Sequence, residues 1–255
     1  MEQENKQIFD FDLKMIADFF RELDRQGPGG VEQTLRALEF VPDRPGMRIA
    51  DIGCGTGGQT ITIARNRDCT ITAVDLLPEL LEEFRTRIKK AGLENRVTAI
   101  QGSMDALPFS PGEFDVIWAE GSIYNIGFER ALAEWRKFLK PGGYIAITEN
   151  TWFREEQPQE IKNFWQEAYP QIDTIPTKVA QMQKAGYLPV ATYMLPETIW
   201  TDYYKMQAAN GESFLKKYKG NKTVEEFIAS QRYEAELYDK YKAYYGYVFY
   251  IGKKL

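Results

Sequence analysis

Apolar residues follow two spacings in the middle of this chain, and the two spacings alternate. Short runs rich in apolar residues, typical of strands, occur at 47–52, 70–75, 96–101, 114–119 and 143–149. Helical spacing, with an apolar residue every three or four positions, occurs at 57–66, 78–91 and 127–139, and more weakly at 104–107. This alternation predicts a parallel sheet that is covered by helices on both faces and binds its ligand at the carboxyl ends of the strands.

The two ends of the chain follow a different pattern. Helical spacing at 8–26 and 31–40 is interrupted by Gly27-Pro-Gly-Gly30, which predicts a helical arm over residues 1–45. After residue 150 the pattern predicts helices at 158–169, 177–185 and 223–243 and strands at 188–195 and 246–252. The two late strands predict an antiparallel pair at the sheet edge. We expect one domain over 46–255, in which a helical insert at 196–245, rich in polar and aromatic residues, precedes the last strand and covers the substrate.

Composition narrows the class of protein. The chain has 255 residues, a hydrophobic content of 44% and a formal net charge of −5, which fits one α/β domain and gives no reason to expect nucleic-acid binding. It has two cysteines, so a disulfide framework is not expected. No apolar run is long enough to span a bilayer, and the N-terminus does not resemble a signal peptide. We expect a soluble cytoplasmic protein.

The chain contains no histidine. A nucleophile activated by imidazole is therefore excluded, and a nitrogen-rich transition-metal site is not expected. Any general base must be Asp, Glu, Tyr, Lys or Cys.

The segment Asp51-Ile-Gly-Cys-Gly-Thr-Gly-Gly58 follows the first strand and precedes a helix. Its glycines allow positive φ and a close approach of the backbone to a ligand. Asp75 ends the next strand, and a glycine turn followed by such an acid is typical of a site for a nucleoside with a ribose diol. Gly53, Gly55 and Gly58 also fit the dinucleotide pattern G-x-G-x-x-G, so this segment alone leaves the nucleoside open.

Four further features distinguish between the nucleosides. Asp51 puts a carboxylate at the turn, which suits an ammonium group and is unfavourable beside a pyrophosphate. An apolar residue follows Asp75, a short polar and apolar pair follows the third strand, and a helix end with a tight glycine turn precedes the fifth strand. The chain here resembles the class I S-adenosylmethionine-dependent methyltransferases, through Asp51-x-Gly53-x-Gly55-x-Gly57, Asp75, Gly102-Ser-Met-Asp105 with Leu107-Pro-Phe109, Phe114-Asp-Val-Ile117 and Leu139-Lys-Pro-Gly-Gly143.

The resemblance covers residues 45–150 at the level of motifs. It implies a Rossmann-like sheet of seven strands, mostly parallel, in which the last strand inserts antiparallel beside the fifth. It also implies S-adenosylmethionine as the cofactor. Asp51 and the backbone at Gly53 and Gly55 would then face the methionine portion, and Asp75 would accept hydrogen bonds from both ribose hydroxyls. The alternative for Asp75 is a structural role as a helix N-cap.

The same resemblance assigns the adenine and methyl ends. Leu76 would lie against the adenine, Ser103 and Met104 would flank it, and Asp105 would accept from its exocyclic amine. Met104 has the alternative of filling the core. Glu120, just past the fourth strand, would lie near the methyl group.

The acceptor site is less defined by the sequence. Trp152 follows the fifth strand at the ligand edge, and Trp200 and Tyr204 lie in the late insert, so we expect these aromatic residues to contact the substrate. Glu120 or Tyr124 is the candidate general base by position. We predict a small-molecule acceptor that attacks through nitrogen or oxygen, by direct in-line displacement.

Two rival functions stay open at this stage. An NAD-dependent oxidoreductase shares the fold class, and a non-catalytic regulatory protein could keep the cofactor pocket. The arm either closes the pocket of its own chain or packs on a neighbour in a homodimer. No metal, nucleic-acid or membrane partner is expected.

Overall fold

A computed structural model describes residues 11–255. Its core is a sheet with strands at β1 Met47–Ile52, β2 Cys69–Asp75, β3 Val97–Gln101, β4 Phe114–Ala119, β5 Leu139–Trp152, β6 Asp173–Thr174, β7 Tyr187–Met194 and β8 Tyr245–Lys254. The strand order is β3-β2-β1-β4-β5-β8-β7, and the short β6 pairs with the end of β5. The predicted Rossmann-like sheet of seven main strands is confirmed.

The strand directions also agree with the prediction. Strands β1 to β5 pair in parallel, whereas β8 runs antiparallel between β5 and β7. The antiparallel strand therefore lies one position inside the edge strand β7. Because the chain returns from the β3 edge to place β4 beside β1, a crevice opens at the carboxyl ends of β1 and β4.

Helices cover both faces of this sheet, with bounds α1 Leu13–Phe20, α2 Val31–Leu38, α3 Gly58–Asn66, α4 Pro78–Ala91, α5 Phe128–Trp135, α6 Gln159–Ala168, α7 Ile175–Lys184, α8 Thr198–Lys217 and α9 Lys222–Tyr241. Successive residues of each strand point to opposite faces of the sheet, because side chains alternate along a strand with a period of two. Ile49 and Trp118 belong to the larger core with α1 to α4, α8 and α9, whereas Ala50 and Ile117 belong to the smaller core with α5 and α7.

Three elements differ from the sequence prediction. The expected helix at 8–26 begins in residues 1–10, which lie outside the described residues, and within the described part only α1 is helical before turns at 21–28. No helix forms at 104–107. A helical insert was expected at 196–245, but the bounds of α8 were not predicted, because its sequence mixes aromatic, polar and glycine residues without a clear apolar stripe.

None of the helices in residues 11–255 is both long enough and apolar enough to span a bilayer.

Candidate functional site

The glycine turn after β1 has the geometry that only glycine adopts readily. Gly53, Gly55 and Gly57 have φ of 74°, 54° and 84°. The amides of Gly53 and Cys54 both donate to the Val74 carbonyl, at 2.8 and 3.0 Å, which ties the turn to the end of β2. A Cβ on Gly53 would overlap the side chain of Ser122, which lies after β4. The turn therefore presents bare backbone at the crevice.

Asp51 lies behind this turn. Its side chain is wholly buried, and its carboxylate accepts hydrogen bonds from Thr60 Oγ1 at 2.5 Å and Gln59 Nε2 at 3.3 Å. Burial raises the pKa of Asp51 to about 7, and the nearby Glu120 carboxylate adds to the rise. Asp51 does not line the cavity described below, whereas Gln59 does. Its predicted contact with the methionine portion stays a prediction, and Gln59 lies between Asp51 and the cavity.

Asp75 lies at the end of β2 and faces the turn. One carboxylate oxygen accepts from the Gly55 amide at 2.8 Å, and the other accepts from the Leu77 amide at 3.0 Å. Burial raises its pKa. Each oxygen keeps a second lone pair, so the carboxylate can still accept from two hydroxyls. The N-cap residue of α4 is Leu77, and Asp75 supports the start of that helix from two residues before it.

The residues predicted to surround the adenine lie together. Leu76 is 49% exposed, with its apolar side chain at the cavity. Ser103 Oγ donates to Asp105 Oδ1 at 2.7 Å, which lowers the pKa of Asp105. Met104 lines the cavity, and its carbonyl accepts from Trp135 Nε1 at 3.1 Å. This end of the cavity thus offers apolar side chains flanked by hydrogen-bonding groups.

Glu120 lies just past β4 with a side chain only 3% exposed. Arg25, from the segment after α1, binds one carboxylate oxygen at 2.7 Å. Thr34 Oγ1 and Trp118 Nε1 donate to the other, at 2.7 and 2.8 Å. These contacts engage both oxygens of the Glu120 carboxylate and tie it to the segment after α1 and to α2.

One cavity of about 460 Å³ joins these groups. At the cofactor end it is lined by the glycine turn, Asp75 to Leu77, Gly102 to Asp105 and Glu120 to Ser122. Its cover comes from the N-terminal segment, including Phe20, Arg25 and Gln26. Its other end is walled by aromatic residues of α6, α8, α9 and β8. Within residues 11–255, no group of three His, Cys, Asp or Glu side chains is arranged to hold a metal ion.

The predicted acceptor residues divide into two groups. Trp200 and Tyr124 line the cavity. Trp152 and Tyr204 are not among the residues that line it, and their predicted contact with the substrate stays a prediction. Trp152 packs edge-on against Tyr245 with ring centroids 5.8 Å apart, and the Tyr204 ring lies 5.8 Å from that of Trp200, one turn earlier on the same face of α8.

Tyr124 is poorly suited to be a base. Its removal from bulk water raises its pKa to about 12, and the Glu234 carboxylate contributes. At neutral pH the phenol therefore keeps its proton and acts as a hydrogen-bond donor. The predicted role of Glu120 or Tyr124 as general base stays a prediction.

Sequence reasoning missed several residues of the aromatic end, namely Asn150, Phe164, Trp165, Tyr169, Tyr203, Tyr233, Glu234 and Tyr247. Tyr247 is well placed between the two ends, because its hydroxyl lies 3.5 Å from where a Cβ on Gly121 would be. The Tyr247 side chain lies on β8, which pairs with β5, the ligand-edge strand of the sequence prediction. The predicted position of the last strand beside the fifth was the signal from which Tyr247 could have been identified.

Comparisons with known proteins agree with this architecture. The family model described as a methyltransferase domain matches residues 49–143. A methyltransferase of Streptomyces halstedii is 30% identical over 128 residues, covering 50% of this chain and 46% of that protein. A ubiquinone/menaquinone biosynthesis C-methyltransferase of Shewanella frigidimarina is 27% identical, covering 63% of this chain and 64% of that protein. The chain thus spans between about half and two thirds of these relatives.

A solved structure extends the likeness to the whole fold. The S-adenosylmethionine-dependent methyltransferase of Geobacter sulfurreducens, in complex with S-adenosyl-L-homocysteine, superposes with a TM-score of 0.85 at 19% identity. The superposition covers 96% of this chain and 99% of that one. At this identity the likeness concerns the fold, including the elements outside residues 49–143.

Proposed function

We propose that this chain, whose residues 49–143 match the methyltransferase-domain model, is a class I S-adenosylmethionine-dependent methyltransferase that transfers a methyl group from S-adenosylmethionine to a small-molecule acceptor. One observation carries the proposal. The glycine turn, the Asp75 carboxylate and the aromatic wall all face a single cavity at the carboxyl ends of β1 and β4. Such a cavity can hold a nucleoside donor and a second molecule side by side.

The residues at the cofactor end fit this donor. Asp75 has lone pairs left for two ribose hydroxyls, and Leu76 offers an apolar surface for the base. Gly53 and Gly55 allow the backbone to approach the methionine portion, and the buried Asp51 supplies negative charge behind Gln59. When bound, the sulfonium makes its methyl group electrophilic enough for direct displacement.

The rest of the site has to position the acceptor and exclude water. The segment with Arg25 and Gln26 covers the turn, and the Gln26 amide both donates to Thr56 Oγ1 at 3.0 Å and accepts from the Thr56 amide at 2.9 Å. The Arg25–Glu120 ion pair fastens the same segment to the end of β4. We assign to Glu120 the role of holding this segment in place through its ion pair with Arg25.

The acceptor attacks through nitrogen or oxygen in this proposal. The aromatic and acidic character of the acceptor end supports a polar nucleophile. Direct displacement then needs no base when the nucleophile is an uncharged amine. This suits a site where the Glu120 carboxylate is held by Arg25, Thr34 and Trp118 and the Tyr124 phenol keeps its proton.

Equilibrium binding tests the cofactor assignment. In calorimetry, S-adenosylhomocysteine should bind saturably, and D75A should weaken binding by about 100-fold, because hydrogen bonds to a charged group contribute about 1.5–3 kcal/mol each. D68A is the matched control, since Asp68 is exposed at the opposite end of the same strand region. NADH binding without S-adenosylhomocysteine binding would favour the oxidoreductase instead.

A second assay separates an enzyme from a binding protein. Labelled methyl transfer to a metabolite extract should produce a labelled small molecule. Tight binding of S-adenosylhomocysteine with no transfer to any acceptor would support the non-catalytic alternative.

The organisation of the chain follows as part of the same proposal. We propose that the N-terminal arm predicted at 1–45, of which the structure describes residues 11–45, closes the cavity, and that the insert at 196–245 covers the acceptor. The homodimer and the cytoplasmic location stay predictions, the first of which sedimentation velocity can test.

A further inference from the structure

The charges that line the cavity are unbalanced. Its lining carboxylates are Asp75, Asp105, Glu120 and Glu234, and Arg25 is the one cation among the described lining residues. Arg25 is already paired with Glu120. Asp75 and Asp105 belong to the cofactor end, so Glu234 is the remaining carboxylate at the acceptor end.

Glu234 is held in place without being neutralised. It projects from α9, and one of its oxygens accepts from the Tyr204 hydroxyl at 2.9 Å. Across residues 11–255 it forms no ion pair with lysine or arginine. Burial raises its pKa, as expected for a carboxyl group that lacks a cationic partner.

Tyrosine rings surround this carboxylate. Burial chiefly raises the pKa values of Tyr124, Tyr203 and Tyr247, and the Glu234 charge adds to the rise in each of them. The raised pKa values keep the three phenols protonated. All three rings line the cavity together with the Glu234 carboxylate, so they face a common space. Electron-rich faces beside one carboxylate form a favourable site for a cation.

A second polar group faces the same space. Asn150 at the end of β5 is only 5% exposed and lines the cavity, yet neither atom of its amide has a hydrogen-bond partner. A buried amide without partners costs free energy unless a ligand or water satisfies it. Its carbonyl oxygen can accept from an N–H donor.

We propose that the methyl acceptor is a compact primary or secondary amine that enters as an ammonium ion, with Glu234 as its counter-ion and the tyrosine rings around its charge. This inference rests on the proposed function and narrows it from nitrogen or oxygen to nitrogen. The Asn150 carbonyl oxygen accepts a second N–H of the same group.

The transfer step balances in this arrangement. The ammonium passes one proton to the Glu234 carboxylate, which leaves a neutral amine with a free electron pair. That pair forms a bond to the methyl carbon as the carbon–sulfur bond breaks, and the electrons of the broken bond stay on sulfur as the neutral thioether. The methylated product leaves as an ammonium ion, and Glu234 returns its proton to water.

Paired ligands test the acceptor class in the wild-type protein. With S-adenosylhomocysteine saturating, a panel of amines from ethylamine to 2-phenylethylamine is titrated beside the matching alcohols and carboxylic acids. At least one amine should bind at least 10-fold more tightly than its alcohol and acid counterparts. The same amine should accept labelled methyl from S-adenosylmethionine.

A conservative variant tests the role of Glu234. E234Q keeps an acceptor for the Tyr204 hydroxyl and removes the charge, so it should weaken amine binding at least 10-fold while S-adenosylhomocysteine binding changes less than 2-fold. E236Q is the control, because Glu236 is exposed on the same helix and lies outside the cavity lining. It should match the wild type in both measurements.

The outcomes separate this inference from the function beneath it. Failure of S-adenosylhomocysteine to bind would overturn the proposed function itself. Cofactor binding with methyl transfer only to alcohols, acids or carbon acceptors would leave that function standing and overturn the amine. Equal amine affinity in E234Q and the wild type would also overturn it, and the wild-type panel decides the matter should E234Q fail to fold.

Discussion

The two ends of the cavity are built from different parts of the chain. The cofactor end uses backbone and short side chains from consecutive turns at the carboxyl ends of β1 to β4. The acceptor end uses rings on α6, α8, α9 and β8, which meet only after the late elements have packed on the sheet. A site made of local turns tolerates few substitutions within each turn. A site made of aromatic rings from distant elements can tolerate the substitution of one ring at a time.

This difference has a physical cause. At the cofactor end, positive φ and close approach exclude any Cβ, so the geometry is fixed by main-chain conformation. At the acceptor end, contacts such as the 4.8 Å edge-to-face pair of Trp200 and Tyr247 depend on side-chain packing. Substitutions in the glycine turn should therefore act through folding, and substitutions of the rings at the acceptor end through ligand affinity.

The largest effect is expected within the glycine turn. A Cβ on Gly57, at φ 84°, would overlap the Phe84 ring of α4, so G57A should lower the free energy of unfolding by about 4 kcal/mol. Gly46 has nearly the same φ, 73°, with no atom within 4 Å of the added Cβ, so G46A should cost only about 1 kcal/mol. Urea unfolding measures both, and equal losses would show that backbone strain alone matters.

A second effect, which at its upper limit is about as large, should depend on pH and arise behind the same turn. The pKa of Asp51 is about 7 in the folded state and has an ordinary value of 3.8. Between these two values the folded protein holds a proton that the unfolded chain has released, so stability falls as pH rises from about 4 to about 7. The wild type should lose up to about 4 kcal/mol relative to D51N across this window.

The measurement is chemical unfolding at several pH values. The difference between wild type and D51N should be flat above pH 7 and below pH 4, since the folded and unfolded states then hold the same number of protons. D68N, with its exposed carboxyl group, should follow the wild type throughout. A wild type that gained stability relative to D51N between pH 4 and 7 would contradict the burial argument.

The smallest effect should appear at the acceptor end, as a contrast between two tryptophans. Trp200 lines the cavity, so W200F should raise the KM for the acceptor about 10-fold with little change in S-adenosylhomocysteine affinity. Trp152 packs against Tyr245 outside the cavity lining, so W152F should change KM less than 2-fold. Steady-state kinetics with an identified acceptor checks both, and equal effects would remove the contrast between the two positions.

The residues of the cofactor end could be predicted to lie together because their sequence signals are local. Each strand and the turn after it are predicted from neighbouring residues. The structure places Asp75, Leu76, Ser103 and Met104 along one cavity, and their contacts with the cofactor stay predictions. Asp51 was the exception. Whether a carboxylate at a strand end points into the crevice or under the turn depends on the next helix, where Thr60 and Gln59 bind it.

The acceptor end could not be predicted in the same way. Tyr203 and Tyr204 are adjacent on α8 and point in directions about 100° apart, as helix geometry requires. Only the packing of α8 against neighbouring elements determines that Tyr203 faces the cavity while Tyr204 faces Glu234 and Tyr238. Glu234 itself lies in a polar stretch whose partners come from other elements, so nothing near it in sequence marks it.

The two covers of the cavity are joined to each other. The Tyr203 hydroxyl of α8 donates to the Gln26 carbonyl at 2.9 Å, and Asn210 Nδ2 donates to the Phe19 carbonyl at 2.6 Å. Lys217, in the last turn of the same helix, pairs with Asp18 at 2.6 Å. Because these contacts join the N-terminal segment to α8, a substitution that displaces either segment should also loosen the other.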